Sequence, residues 1–167
     1  METKQSITEV IKKRQRFRNE MHISFDALSV NEAFARITVA AFVAPLNPTL
    51  EELSDIKTAV SEAVTNAIIH GYENTGIPEK RKVYMECDIT GDVLQVTVRD
   101  EGCGIENIEQ AMQPLFTTKP ELDRSGMGFA FMEAFMDDLE VESIPGAGTR
   151  VTMKKKLGTD SWILDED

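Results

Sequence analysis

Val-Tyr-Met-Glu-Cys-Asp-Ile-Thr-Gly-Asp-Val-Leu-Gln-Val-Thr-Val-Arg-Asp, residues 83–100, decides the fold. Val83, Met85, Cys87 and Ile89 alternate with polar neighbours, Gly91-Asp92 supplies a tight two-residue turn, and Leu94, Val96 and Val98 alternate on the return. Period-two alternation interrupted by a Gly-Asp turn predicts an antiparallel hairpin, here ending at Asp100. A second such unit lies downstream: Leu139 and Val141, then Pro-Gly-Ala-Gly at 145–148, then Thr149, Val151 and Met153. Upstream, Met21, Ile23 and Phe25 share one face of a first strand, so the folded domain is expected to begin near there.

Helical periods fill the space between these strands. Ser29 followed by Glu32 has capping-box spacing, and Phe34, Ile37 and Phe42 with the intervening alanines give an apolar face to about Ala44, closed by Pro45 and Pro48. Thr49 and Glu52 repeat that spacing, and Leu53, Ile56, Val60, Ala63, Val64, Ala67 and Ile68 recur at helical intervals until Gly71. Phe129, Met132 and Phe135 begin a third helix. Residues 103–125 carry little apolar periodicity beyond one helical turn near Ile108 to Met112, and a loop of that length in a compact domain is usually a functional lid or disordered. About five strands joined by hairpins, with three helices, predict an α/β (α+β) two-layer sandwich: a mostly antiparallel sheet with the helices on one face.

Composition narrows the function classes. At 167 residues the chain suits one well-filled core: a basic amphipathic extension at 1–18, a domain at 19–156, and an acidic tail at 157–167. No apolar run approaches the roughly 20 residues of a membrane span, and the N-terminus lacks the apolar core of a signal peptide, so the expected compartment is the cytoplasm. A net charge of −11 argues against sequence-independent nucleic-acid binding and for a basic or locally basic protein partner. Cys87 and Cys103 form no CxxC pair and the chain has two histidines, which disfavours a structural zinc site.

Three polar islands interrupt the apolar pattern. Glu62 and Asn66 lie one helical turn apart, away from the stripe of Val60, Ala63 and Ala67. An amide oxygen suits Mg²⁺ and a neighbouring carboxylate could deprotonate a hydroxyl attacking phosphate; a solvated polar face is the alternative. Asp100 continues the buried side of Leu94, Val96 and Val98, so its carboxylate needs a partner: either an exocyclic amino group such as adenine's, with Gly102 and Gly104 letting the backbone approach the base, or its own turn. Gly126 and Gly128 open the third helix, whose free N–H groups suit phosphate, and Thr117, Thr118, Lys119, Arg124 and Ser125 precede them.

In this order the islands resemble a known superfamily. Glu-Ala-Val-Thr-Asn-Ala at 62–67, Asp-Glu-Gly-Cys-Gly at 100–104 and Gly-Met-Gly-Phe at 126–129 are similar to the N box and two glycine boxes of the GHKL ATPases, which include gyrase, heat-shock chaperones, histidine kinases and mismatch-repair proteins. Within it, residues 60–71 and Pro-Leu-Phe-Thr-Thr-Lys-Pro-Glu-Leu-Asp-Arg-Ser-Gly-Met-Gly-Phe at 114–129 resemble the anti-sigma F factors of sporulating bacteria, over about residues 19–156. The resemblance implies a Bergerat-type ATP-binding fold and a homodimeric protein serine kinase. Such a kinase holds a sporulation sigma factor inactive when ATP-bound and phosphorylates a serine on a small anti-anti-sigma protein. By position it assigns Mg²⁺ to Asn66, the catalytic base to Glu62 and the adenine amino group to Asp100. Gly102, Gly104 and Thr149 complete the base pocket; Thr117, Thr118, Lys119, Arg124, Ser125, Gly126, Met127 and Gly128 surround the phosphates; Arg36 contacts a partner. Residues 1–18 and those after Lys156 have no counterpart in the family.

Rival classes are a stress-response anti-sigma kinase and a non-catalytic ATP-gated binding switch, against which Glu62 argues, since binding alone needs no base. A sensor histidine kinase needs a phosphoacceptor histidine on a dimerisation helix, whereas His22 falls in a strand pattern and His70 at a helix end. A gyrase-type clamp needs a second domain.

Overall fold

The structure, a computed structural model, describes residues 17–72, 81–116 and 126–158. Five strands form one antiparallel sheet: β1 (Arg18–Asp26), β2 (Lys82–Thr90), β3 (Val93–Asp100), β4 (Asp138–Ile144) and β5 (Gly148–Lys156), in the order β1-β2-β3-β5-β4. The hairpin read from alternation is present, with Thr90 opposite Val93 and Val83 opposite Asp100. The second hairpin closes between Ile144 and Gly148, and β5 inserts between β3 and β4.

Every second residue of the central strands points to one side. Phe25, Val83, Met85, Cys87, Ile89, Leu94, Val96, Val98, Val151 and Met153 are buried there against Ala35, Val39 and Val43 of α1 (Asn31–Val43) and Ile56, Val60 and Val64 of α2 (Leu50–Asn66). Met132 of α4 (Gly128–Phe135) completes that core; α3 (Ile108–Ala111) is a single turn outside it. The other side carries polar rows such as His22, Glu86, Thr97, Thr152 and Glu140, as expected of an antiparallel sheet with one wet face. The expected two-layer sandwich is therefore the observed one.

Helix entry differs between the two capping-box candidates. At Thr49 the box forms: the Glu52 N–H donates to Thr49 Oγ1 at 3.1 Å and the Thr49 N–H to Glu52 Oε2 at 2.8 Å. Before α1 it does not. The residue at the cap position is Val30, in helical backbone (φ −60°, ψ −25°) with no side-chain cap, and Ser29 contributes only its carbonyl, 3.2 Å from the Glu32 N–H. A capping side chain needs an extended residue to turn back onto the first helical N–H groups. Here the turns closed by Leu28 N–H on Asp26 and Asn31 N–H on Leu28 already wind the chain.

The far end of α2 also departs from the regular pattern. After Asn66 the chain widens into a π turn, Ala67–Gly71, before Tyr72. At the opposite end of the molecule Lys155, 11% exposed, turns inward from β5. Its Nζ donates to the Phe135 carbonyl at 2.6 Å and to Asp55 Oδ2 at 3.1 Å, so the C-terminal end of α4 is tied to the first turns of α2. Packing runs slightly beyond residues 19–156. The Phe17 carbonyl accepts from the Gly91 N–H, Leu157 is buried, and the Gly158 N–H donates to Glu52 Oε1 at 2.7 Å.

Candidate nucleotide site

The chemistry-bearing residues come from four segments that the sheet order brings to one end. α2 and the π turn supply Glu62, Asn66 and His70; the end of β3 supplies Asp100 and the loop after it; α4 supplies Gly128; the start of β5 supplies Thr149. Between them lies a cavity of about 370 Å³ whose walls include Asn66, Asp100, Gly104, Gly126, Gly128 and Thr149.

Glu62 and Asn66 meet at the first turn of α4. A Cβ added to Gly128 would lie 3.2 Å from Glu62 Oε2 and 3.3 Å from both amide atoms of Asn66. Hydrogen at this position is what lets both oxygen-bearing side chains reach the N-terminus of the helix, where unpaired N–H groups favour anions. Met127 is the residue preceding that helix. Gly126 has φ +61°, and its carbonyl accepts from the Leu115 N–H at 2.8 Å. Thr117, Thr118, Lys119, Arg124 and Ser125 lie outside the described residues.

Asp100 is 5% exposed. Its Oδ1 accepts the Gly102 N–H at 2.9 Å, and the Thr149 N–H also donates to the carboxylate. Burial nevertheless dominates and pushes the carboxyl up to about 6, against the opposing pull of those N–H groups and Arg99. Gly104, at φ +71°, borders the cavity, and Thr149 Oγ1 is 2.8 Å from Ser143 Oγ, which accepts from the Ile105 N–H. Arg36 of α1 reaches α2: its guanidinium donates to Ser61 Oγ at 3.0 Å, and Glu32 is 3.9 Å away on its own helix.

Sequence reasoning missed part of the wall. His70, Glu106, Asn107, Gln110, Phe116 and Phe129 also line the cavity. His70 stands four residues after Asn66, so extending the helical period by one turn would have found it; the loop residues carry no periodic signal. The two thiols differ. Cys87 is buried in β2, where burial pushes its thiol up to about 12, while the Cys103 thiol donates to the His70 carbonyl at 3.1 Å on the cavity wall.

The amide oxygen of Asn66 suits Mg²⁺, which takes one or two protein oxygens and completes its shell with water and phosphate, leaving the neighbouring Glu62 carboxylate for proton transfer. Among the described residues no cluster of three or more His, Cys, Asp or Glu forms an all-protein metal cage.

Residues 27–155 match the family model of the histidine kinase-like ATPase domain. Anti-sigma F factor of Bacillus subtilis is 58% identical over 148 residues, covering 89% of this chain and 99% of that protein. The anti-sigma F factor of Clostridium perfringens is 59% identical over 141 residues, 84% of this chain and 99% of its own. The chain belongs to the histidine kinase-like ATPase family, in its anti-sigma F factor branch. Two solved structures share the fold. One holds the RsbU and RsbW domains of a Mycobacterium tuberculosis protein, with TM-score 0.60 and 22% identity over 83% of this chain and 32% of that one. The other is the blue-light activated histidine kinase of Erythrobacter litoralis, with TM-score 0.51 and 25% identity over 68% of this chain and 33% of that one.

Proposed function

We propose that this anti-sigma factor binds Mg-ATP in the cavity, holds a sigma F-type sigma factor inactive in that state, and transfers the γ-phosphoryl group to a serine of an anti-anti-sigma protein. The observation that carries the reading is the meeting of Glu62 and Asn66 at the first turn of α4. Asp100 receives the adenine amino group, with Gly102, Gly104 and Thr149 around the base. Asn66 holds Mg²⁺, which neutralises phosphate charge when bound. Gly126, Met127 and Gly128 face the phosphates, and the resemblance assigns Thr117, Thr118, Lys119, Arg124 and Ser125 to the same groups.

In the transfer step the serine oxygen bonds to the γ-phosphorus while the bond to the bridging oxygen breaks, and ADP leaves with that electron pair. Glu62 takes the serine proton. Its position beside the helix N-terminus supports this role, because a base must lie within hydrogen-bond reach of the attacking hydroxyl. Arg36, hydrogen-bonded to Ser61, engages the incoming partner in this reading.

The working state is a homodimer. Val30, Phe34 and Ile37, spaced as one helical stripe, are 75%, 48% and 67% exposed, an apolar surface a second copy would cover. Among the described residues no helix is long and apolar enough to cross a membrane. The test is incubation with Mg²⁺ and γ-labelled ATP, with and without the anti-anti-sigma protein. Label on a serine of that protein is the expected result; nucleotide binding without label leaves an ATP-gated binding switch instead.

A further inference from the structure

Asp100 reads the base in the function proposed above, yet two of its supports come from a segment outside the loop that carries it. The π turn ends in Gly71 and Tyr72, and both touch the loop after β3. The Tyr72 side chain is buried, and its hydroxyl is filled in every direction: it accepts the Glu101 N–H at 3.0 Å and the Lys82 N–H at 3.2 Å, and donates to the Lys82 carbonyl. A phenol has one hydrogen to give and two lone pairs to receive, so these contacts saturate it. Glu101 directly follows Asp100, so this hydroxyl fixes the backbone from which the carboxylate hangs.

Gly71 acts on the other side. Its carbonyl accepts the Cys103 N–H at 2.6 Å, and a Cβ on Gly102 would fall 1.6 Å from that oxygen. The loop is thus pressed directly on the π turn. A Cβ on Gly71 itself would lie 2.7 Å from Asp100 Cγ and 2.8 and 3.0 Å from its two oxygens. The missing methyl is the space the carboxylate occupies. Gly71 is not in the left-handed region, so alanine there meets the carboxylate and no backbone strain.

We propose that Gly71 and Tyr72 form a positioning clamp that sets the height and angle of the Asp100 carboxylate, and with it the preference for a base bearing an exocyclic amino group over one bearing a carbonyl at that position. The clamp deepens the ATP reading and rests on it. Both residues act on Asp100 and its loop, away from the meeting of Glu62 and Asn66 at α4, so the signature of the clamp is base discrimination and not the chemical step.

The experiment measures Kd for Mg-ATP and Mg-ITP by calorimetry on the full chain, as wild type, Tyr72→Phe, Gly71→Ala and Asp100→Asn, with the melting temperature of each. Wild type should prefer ATP. Each clamp variant should lose about tenfold in ATP affinity while ITP stays within about twofold, matching the pattern of Asp100→Asn. A wild-type preference for ATP that both variants retain overturns the clamp, and so does an equal loss for both nucleotides, which marks a merely structural role. If Tyr72→Phe does not fold, Gly71→Ala carries the test alone, since it adds one methyl against the carboxylate. No preference in wild type removes the base assignment of Asp100 itself, and the clamp falls with it.

Discussion

Asp100→Asn should make the nucleotide-free protein more stable at neutral pH while weakening its hold on ATP. Burial raises this carboxyl from 3.8 in the unfolded reference to about 6 in the fold. A native group that holds its proton more tightly than the unfolded chain takes up a proton on folding between those two values. Its favourable contribution is therefore complete below about pH 4, shrinks as pH rises, and is gone once pH has passed through about 6. Two units at 1.36 kcal/mol each put the cost of keeping it ionised at pH 7.5 near 3 kcal/mol as an upper bound. Asparagine is neutral at every pH in this range and still offers an oxygen to the Gly102 N–H, while a weaker bond from the Thr149 N–H, which also donates to the carboxylate, takes back about 1 kcal/mol. A net gain of about 2 kcal/mol corresponds to roughly 4–8 °C in Tm for a chain of this size. The assay is thermal unfolding of wild type and variant, without nucleotide, from pH 4 to 8. The difference in Tm should be near zero at the acid end and open between pH 4.5 and 6.5, about the window set by the shift. A variant that melts at or below wild type at pH 7.5, or a difference indifferent to pH, refutes the reasoning.

Three other substitutions probe separate links. Glu62→Gln should keep Mg-ATP binding and lower phosphoryl transfer by about 10²–10⁴-fold, the usual worth of a general base; unchanged transfer in a labelled-ATP assay removes Glu62 from that role. Gly128→Ala places a methyl 3.2 Å from Glu62 and 3.3 Å from Asn66, so Mg-ATP affinity should fall by about tenfold. Calorimetry showing wild-type affinity would mean those side chains yield freely. Thr49→Ala removes the hydroxyl half of a formed capping box, leaving the residue-49 N–H still on Glu52, and should cost about 1 kcal/mol in urea unfolding, whereas Ser29→Ala, where no box forms, should cost well under half of that.

What was legible in the sequence is what is local. The hairpin at 83–100 announces itself because alternation and its turn residues are contiguous, and the Thr49 box because its partners are three residues apart. Ser29 carries the same letters and fails, because the turn before it sets the backbone that the letters presuppose. The insertion of β5 between β3 and β4 rests on pairing between strands about 55 residues apart in the chain, as Thr97 with Thr152, which no periodicity encodes. The site divides the same way. Glu62 and Asn66 were readable as one helical face, and Asp100 as an acid on a buried face. Gly71 read only as a helix stop, since its purpose depends on a carboxylate 29 positions away.

Lys155 ties down one end of α4 and leaves the other among Glu62, Asn66 and the cavity. Eight residues make a rod of about 12 Å, so a tilt of 10° about Phe135 carries Gly128 through about 2 Å while the anchored end stays still. On the ATP reading proposed above, such a tilt would concentrate displacement at the end of α4 assigned to the phosphates and suppress it where Lys155 of β5 holds Phe135. A difference of one phosphate would then be read out around Glu62, with the sheet acting as the fixed frame against which the helix turns.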